Sequence, residues 1–361
     1  MKPTSIYGAD YIDDAAIAQF NSAMEQDYSV QGALMPDAHL GYSLPIGAVV
    51  ATEGVVVPAW VGYDIGCGMC ALRLDVAPET VRDNAEAIFE DIYAAVPVGF
   101  NVHQHPKDTD LDPKELSPIG LEMFEKRKGF RALGTLGGGN HFIEIGADEF
   151  GFTWTIVHSG SRGVGHGIAT AYMRLASGDG KAREGHYPLE IDSDLGASYI
   201  NDMGWVLAFA MENRQRITDV VPGVLGGGHY DFVINRNHNH AELVDGRWIH
   251  RKGATQAGAG DMGVIPGNMR DGSFIVRGLG NPESMCSSSH GAGRKLGRKE
   301  ARRTLVLAEF ISAMGSITAK VGEDTLDESP AAYKDIYKVM DLQVDLVEYV
   351  RHVTPIVNVK G

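Results

Sequence analysis

Ser287-Ser288-Ser289-His290-Gly291-Ala292-Gly293-Arg294 (287–294) sets one histidine between three hydroxyl side chains and a Gly-x-Gly turn, and a basic run follows: Arg294, Lys295, Arg298, Lys299, Arg302 and Arg303. Small residues let a ligand approach the backbone closely. From Gly291 onward the pattern predicts a helix, with Ser289 as its N-cap and an extent of 291 to 315. A helix N-terminus favours anions and disfavours protonation of an imidazole beside it. A neutral imidazole is a nucleophile, so the segment suits a histidine that attacks a phosphate. A capping histidine beside a tight turn would carry the same letters.

Working outward, five other stretches concentrate Gly, His, Asp, Asn and Cys: PDAHLGYSLPIG (36–47), VGYDIGCGM (61–69), LGGGNHFIEI (136–145), HSGSRGVGH (158–166) and HRKGAT (250–255). Metal-ligand candidates lie in them at strand ends and glycine turns. Asp64 and Cys67 stand three residues apart beside two glycines. His141 and His158 sit at the ends of apolar strands. In Asn237-His238-Asn239-His240, alternation puts His238 and His240 on one face. Mixed Asp/Cys/His ligation suits a borderline divalent ion such as Mn(II), Zn(II) or Co(II). Three to five such ligands hold one or two ions, and two ions sharing a thiolate are spaced for phosphate chemistry. Asp37 and His39 read as groups that orient ligands. Cys67 and Cys70 spell C-x-x-C, but no second such pair exists and Gly68-Met69 is unlike a thioredoxin-type motif.

The chain has 361 residues, 45 of them glycine, and a formal net charge of −15. The acidic balance argues against broad, nonspecific nucleic-acid binding and leaves room for a local basic groove. Three cysteines, Cys67, Cys70 and Cys286, make a disulfide framework an unattractive reading. The first residues lack the charged and apolar regions of a signal peptide. No apolar run approaches the roughly 20 residues needed to span a bilayer. A soluble, cytoplasmic protein is expected. A Walker A string is absent.

Hydrophobic spacing predicts helices over 11–26, 79–94, 166–177, 197–217 and 330–350. Strands are expected over 46–57, 70–76, 140–146, 152–158, 230–235, 241–252 and 273–278, and in the closing VTPIVNVKG. Residues 101–118 read as a surface loop, and 101–130 carries no motif. Strands and helices do not alternate regularly, so an α+β fold with mixed sheets is expected over a doubly wound one.

Together the six stretches, in this order, resemble the RtcB family of GTP-dependent RNA ligases. The resemblance spans nearly the whole chain and implies a single domain over 1–361 with the family's α+β fold. It implies two Mn(II) ions bridged by Cys67, with Asp64 and His141 completing one site and His158 and His238 the other. The family pattern of a His-Asn pair matches His238-Asn239, with His240 as the competing choice. It implies that His290 attacks GTP and becomes guanylylated, and that Glu144 accepts from the guanine N1 and N2 donors. Ser273, Tyr333 and Lys360 match other pocket positions, and Asn140 helps hold the GTP phosphates. Arg162, Lys252, Arg294 and Arg298 would contact phosphate or RNA, with Arg294, Arg298 and Arg302 along one helix face as an RNA track. The implied reaction joins an RNA 3′-phosphate, or a 2′,3′-cyclic phosphate after hydrolysis, to a 5′-hydroxyl, in tRNA splicing or RNA repair. The implied partners are broken, tRNA-like RNA and an archease-like activator. A two-metal phosphodiesterase acting on RNA ends would need the metal cluster but no guanine pocket. A noncatalytic RNA-end sensor would need no His290.

Overall fold

The computed structural model describes residues 2–181, 185–228 and 230–361. Its α+β architecture rests on two mixed sheets. In the larger, eight-stranded sheet the antiparallel order is Met262–Pro266, Ser273–Gly278, Val347–Lys360, Phe142–Asp148, Thr153–Ser159, Gly68–Leu74 and Tyr230–Asn237. Thr318–Ala319 adds a parallel pairing to the long Val347–Lys360 strand. The second sheet orders Thr4–Ile6, Ser29–His39, Ile46–Thr52, Arg247–Lys252 and Asn239–Val244. Strands remote in sequence pair in both, which is the irregular alternation that the sequence predicts.

The 31-residue helix Asp194–Val224 backs the larger sheet. Ser193 caps it, its hydroxyl accepting from the Gly196 amide at 3.0 Å. Along one stretch Tyr199, Met203, Val206 and Phe209 pack against Val164, Ile168 and Tyr172 of the helix Arg162–Ala176. Further on, Ile217 and Val221 join Cys70, Leu72, Ile143 and Val157 from the sheet. Cys70 is thus a core side chain, which separates it from Cys67 and removes any C-x-x-C chemistry.

Several elements differ from the sequence expectation. No helix begins at Gly291: Ser289 ends the strand Ser287–Ser289, paired with Ala254–Gln256. The helical part is two short pieces, Arg298–Thr304 and Leu307–Met314. The cause lies at Gly293, which has φ +75°, and a Cβ there would stand 2.0 Å from the Asp37 carbonyl oxygen. Close approach to Asp37, not helix entry, explains this Gly-x-Gly. The expected strand 241–252 is a hairpin, Asn239–Val244 and Arg247–Lys252, turning at Asp245-Gly246 with φ +51° and +81°. An Asp-Gly pair with both residues at positive φ is the favoured two-residue turn. The helix expected over 330–350 shrinks to Ile336–Asp341, because the chain enters the Val347–Lys360 strand instead. The helix expected over 79–94 breaks at Asn84 into Pro78–Asp83 and Ala85–Ala95. Asp14–Met24 forms as expected, with Ala16, Phe20 and Met24 buried.

Candidate metal centre and nucleotide site

Strand register brings the ligand candidates together. Gly68 pairs with Ser159 on one side and Asn237 on the other, and His158 pairs with Phe142. Cys67, His141, His158 and His238 therefore sit at one end of four adjacent strands, each within a residue of a paired position. The His238 amide donates to the Cys67 carbonyl at 2.7 Å and locks this end.

The donor atoms form a chain with the thiol at its centre. Cys67 Sγ lies 3.4 Å from His141 Nε2 and 3.2 Å from His158 Nε2. Beyond them, Asp64 Oδ2 is 3.1 Å from His141 Nε2, and His238 Nε2 is 3.3 Å from His158 Nε2. The Cys67, His141 and His158 donors all fall within 4.8 Å of one another. His158 donates from Nδ1 to the Asn140 carbonyl at 3.0 Å, which leaves its Nε2 lone pair toward the thiol. Burial pushes the His158 and His238 imidazoles well below their ordinary value and the Cys67 thiol well above. Burial pushes the Asp64 carboxyl up, but His141, Cys67 and Arg162 together outweigh it and hold Asp64 low, at about 2. A buried thiol between two imidazoles, with a carboxylate and a third imidazole beyond them, is a donor set that fits a divalent transition cation. His240 lies elsewhere, buried with its Nε2 3.4 Å from Arg251.

His290 stands at the edge of this cluster, its ring 4.9 Å from that of His238. Its Nδ1 donates to Asp37 Oδ2 at 2.7 Å, and the same oxygen accepts from the His290 amide at 3.1 Å. Asp37 is fully buried. The arrangement fixes the tautomer and leaves Nε2 with the lone pair.

On one side of His290 opens a cavity of about 270 Å³ lined by Asn140, Glu144, Arg294, Arg298, Tyr333, Asn358 and Lys360, among others. Glu144 Oε1 accepts from the Ser273 hydroxyl at 3.1 Å. Burial pushes the Glu144 carboxyl up to about 8, with Ser273, Asn358 and Lys360 offsetting part of the effect. Asn358 Oδ1 is buried with no hydrogen-bond partner, a second acceptor at the same cavity. Glu328 gathers the cations: Lys360 Nζ at 2.6 Å, Arg294 and Arg298 at 3.2 Å, and the Tyr333 hydroxyl, which donates at 2.5 Å. Asp327 pairs with Arg298 at 3.1 Å and Arg302 at 2.9 Å. Four cations meet two carboxylates, an excess of positive charge beside buried acceptors. That combination fits a ligand with hydrogen-bond donors at one end and negative charge at the other.

The family described as tRNA-splicing ligase RtcB matches residues 19–122 and 120–361. The chain belongs to the RtcB family of ligases. It is 36% identical to the RNA-splicing ligase RtcB of Escherichia coli K12, over 91% of this chain and 90% of that protein. It is 29% identical to the tRNA-splicing ligase RtcB of Aeropyrum pernix, over 99% of this chain and 95% of that protein. A second Escherichia coli relative, RNA-splicing ligase RtcB2, is 30% identical over 97% of this chain and 93% of its own length.

In this RtcB-family chain the remaining site residues fall into two groups. Arg162, at φ +59°, donates to Thr135 Oγ1 and the Gly99 carbonyl and brings Nη1 to 3.5 Å from His141 Nδ1. Lys252 instead donates to the Tyr42 and Ala59 carbonyls. Arg294 precedes the Arg298–Thr304 helix, so the three arginines do not share one helix face. Sequence reasoning missed Glu328, which looks like one acid among many in Asp324–Glu328. It also missed Arg214, which is fully buried and bonds the Gly66 and Ser159 carbonyls and the Asn235 and Asn237 side chains. Nothing in the local sequence marks Arg214. Only the strands' convergence does. No described helix is long and apolar enough to cross a membrane.

Proposed function

We propose that this chain is a GTP- and Mn(II)-dependent RNA ligase. It joins RNA 3′-phosphate or 2′,3′-cyclic phosphate ends to 5′-hydroxyl ends through a guanylylated His290. The observation that carries this reading is the His290–Asp37 contact at 2.7 Å, at the boundary between the donor cluster and the cation-lined cavity. Asp64, Cys67, His141, His158 and His238 are the residues that would hold the ions. Bound there, divalent ions supply neutralisation of the phosphate charge that builds up during transfer.

Asp37 holds the His290 Nδ1 proton throughout, so Nε2 is the attacking atom. The Nε2–P bond to the α-phosphorus forms as the bond to the β-phosphate bridging oxygen breaks, and pyrophosphate leaves with the electron pair. Glu144, Ser273 and Asn358 orient the base, with the Glu144 carboxylate accepting from the guanine donors. Arg294 and Arg298 would meet the phosphates, and Lys360 and Tyr333, both held by Glu328, would complete the guanine pocket. An RNA 3′-phosphate oxygen then attacks the same phosphorus, and the Nε2–P bond breaks. In the last step the 5′-hydroxyl oxygen, giving up its proton, attacks the activated RNA phosphorus and GMP departs. A cyclic phosphate is first opened by water. The selectivity for guanine over adenine follows from acceptors placed at its N–H donors.

Incubation with radiolabelled GTP and Mn(II) tests the proposal. One GMP per chain on His290, acid-labile and poorly formed from ATP, is expected. His290→Ala should abolish it at unchanged metal content. A label that persists on another residue sinks the mechanism.

A further inference from the structure

A second cavity, of about 220 Å³, opens beside His290 and shares Ile46, Asn140 and His290 with the first. Its inner end holds Asp64, Cys67 and His238, and its wall includes Tyr42, Tyr63 and Lys252. Its mouth is aromatic. Tyr63 stacks on His166 with ring centroids 5.1 Å apart and planes 20° from parallel. Tyr42 meets Tyr63 edge-on at 6.0 Å and is 60% exposed. The loop that presents Tyr42 is clamped. Lys252 Nζ donates to the Tyr42 carbonyl, and the Gln19 side chain exchanges two hydrogen bonds with Gly41, at 3.0 and 3.2 Å. Ser43 beside it adopts φ +55°. A large exposed ring on a restrained backbone is an arrangement that folding does not require.

We propose that this aromatic step, Tyr42 with Tyr63, receives the nucleobase of an RNA terminal nucleotide and so guides that end to His290. The inference rests on the ligase reading for the identity of the ligand. Every base has a π-face, so stacking holds an end without reading its sequence. That suits an acidic protein, because stacking needs no long-range attraction to phosphate. Tyr42 and Tyr63 act as binding residues, and the donor cluster beyond them meets the terminal phosphate or hydroxyl.

Binding of short fluorescent RNAs, read by anisotropy without GTP, tests the step. One pair carries a 3′-phosphate and differs only in whether the last nucleotide has its base. A second pair carries a 5′-hydroxyl and differs in the same way at the first nucleotide. In the unaltered protein, loss of the base should weaken binding of one pair by about tenfold, the scale of a single base–aromatic stack, and the affected pair names the end held. Tyr42→Ala should weaken the base-bearing RNA by a similar factor and erase the difference within that pair, while Tyr42→Phe restores it. Equal weakening of base-bearing and abasic RNA by Tyr42→Ala, or no base effect in the unaltered protein, overturns the proposal. GTP labelling of the unaltered protein is run in parallel. Its failure would strike the ligase mechanism and leave the binding result to stand or fall by itself.

Discussion

His290 Nδ1–H donates to the Asp37 carboxylate, and an ionised carboxylate can only accept. Asp37→Asn replaces that carboxylate with an amide able to donate, which permits the other tautomer and puts a proton on Nε2. The rate of GMP labelling should then fall roughly 10–100-fold, the usual effect of losing an orienting partner, with metal content unchanged. An unaltered labelling rate would mean that Asp37 does not orient the ring. Glu144 makes a pH prediction. Its carboxyl is held up to about 8 by burial, so it is largely protonated at neutral pH in the ligand-free protein. Only the ionised form accepts from both guanine donors. Guanosine affinity, measured by calorimetry, should therefore rise as pH increases from about 6.5 to 8.5 and level off above the Glu144 value. The linked effect on stability has the opposite sign. The folded value lies above the ordinary 4.5, so stability contributed by the buried neutral acid is complete below 4.5 and is lost as pH rises toward about 8. A flat guanosine profile would detach Glu144 from base recognition.

Four strand ends make the donor cluster: three contribute a histidine each, and the segment entering Gly68–Leu74 contributes both Asp64 and Cys67. Because the Cys67 thiol is the central atom, Cys67→Ala should lose more bound metal than any single histidine change, measured by elemental analysis after dialysis. His141→Ala and Asp64→Ala should resemble one another, as should His158→Ala and His238→Ala. His240→Ala should keep its metal, since that side chain faces Arg251. Metal loss in His240→Ala together with retention in His238→Ala would contradict the placement. Much of this was legible because the residues come in short strings with their glycines; the alternation that put His238 and His240 on one face did not hold, because the chain passes from one sheet to the other at His238. The helix expected from Gly291 did not form, because the glycines there answer to Asp37, more than 250 positions earlier. Glu328 and Arg214 were invisible for the same reason: their partners come from strands and turns that only tertiary pairing unites. Propensity also misjudged 330–350, where sheet pairing of Val347–Lys360 overrides the local helical spacing.

Across the whole molecule a charge of −15 sets how RNA is held. The cations nearest His290 are already shared with Asp327 and Glu328, so few phosphates gain a full counter-charge. The log–log salt dependence of single-stranded RNA binding should be shallow, with a slope of roughly −2 to −3 at about −0.7 per phosphate. A slope twice as steep would reveal an extended basic surface. His290, meanwhile, lines two cavities that also share Ile46 and Asn140. Under the proposed reaction, sealed RNA held on the Tyr42 side would leave the guanine side open, and the histidine would recharge while product is still bound. In rapid-mixing experiments, saturating sealed RNA should leave the loading rate with GTP unchanged, and the enzyme would return to each new break already armed.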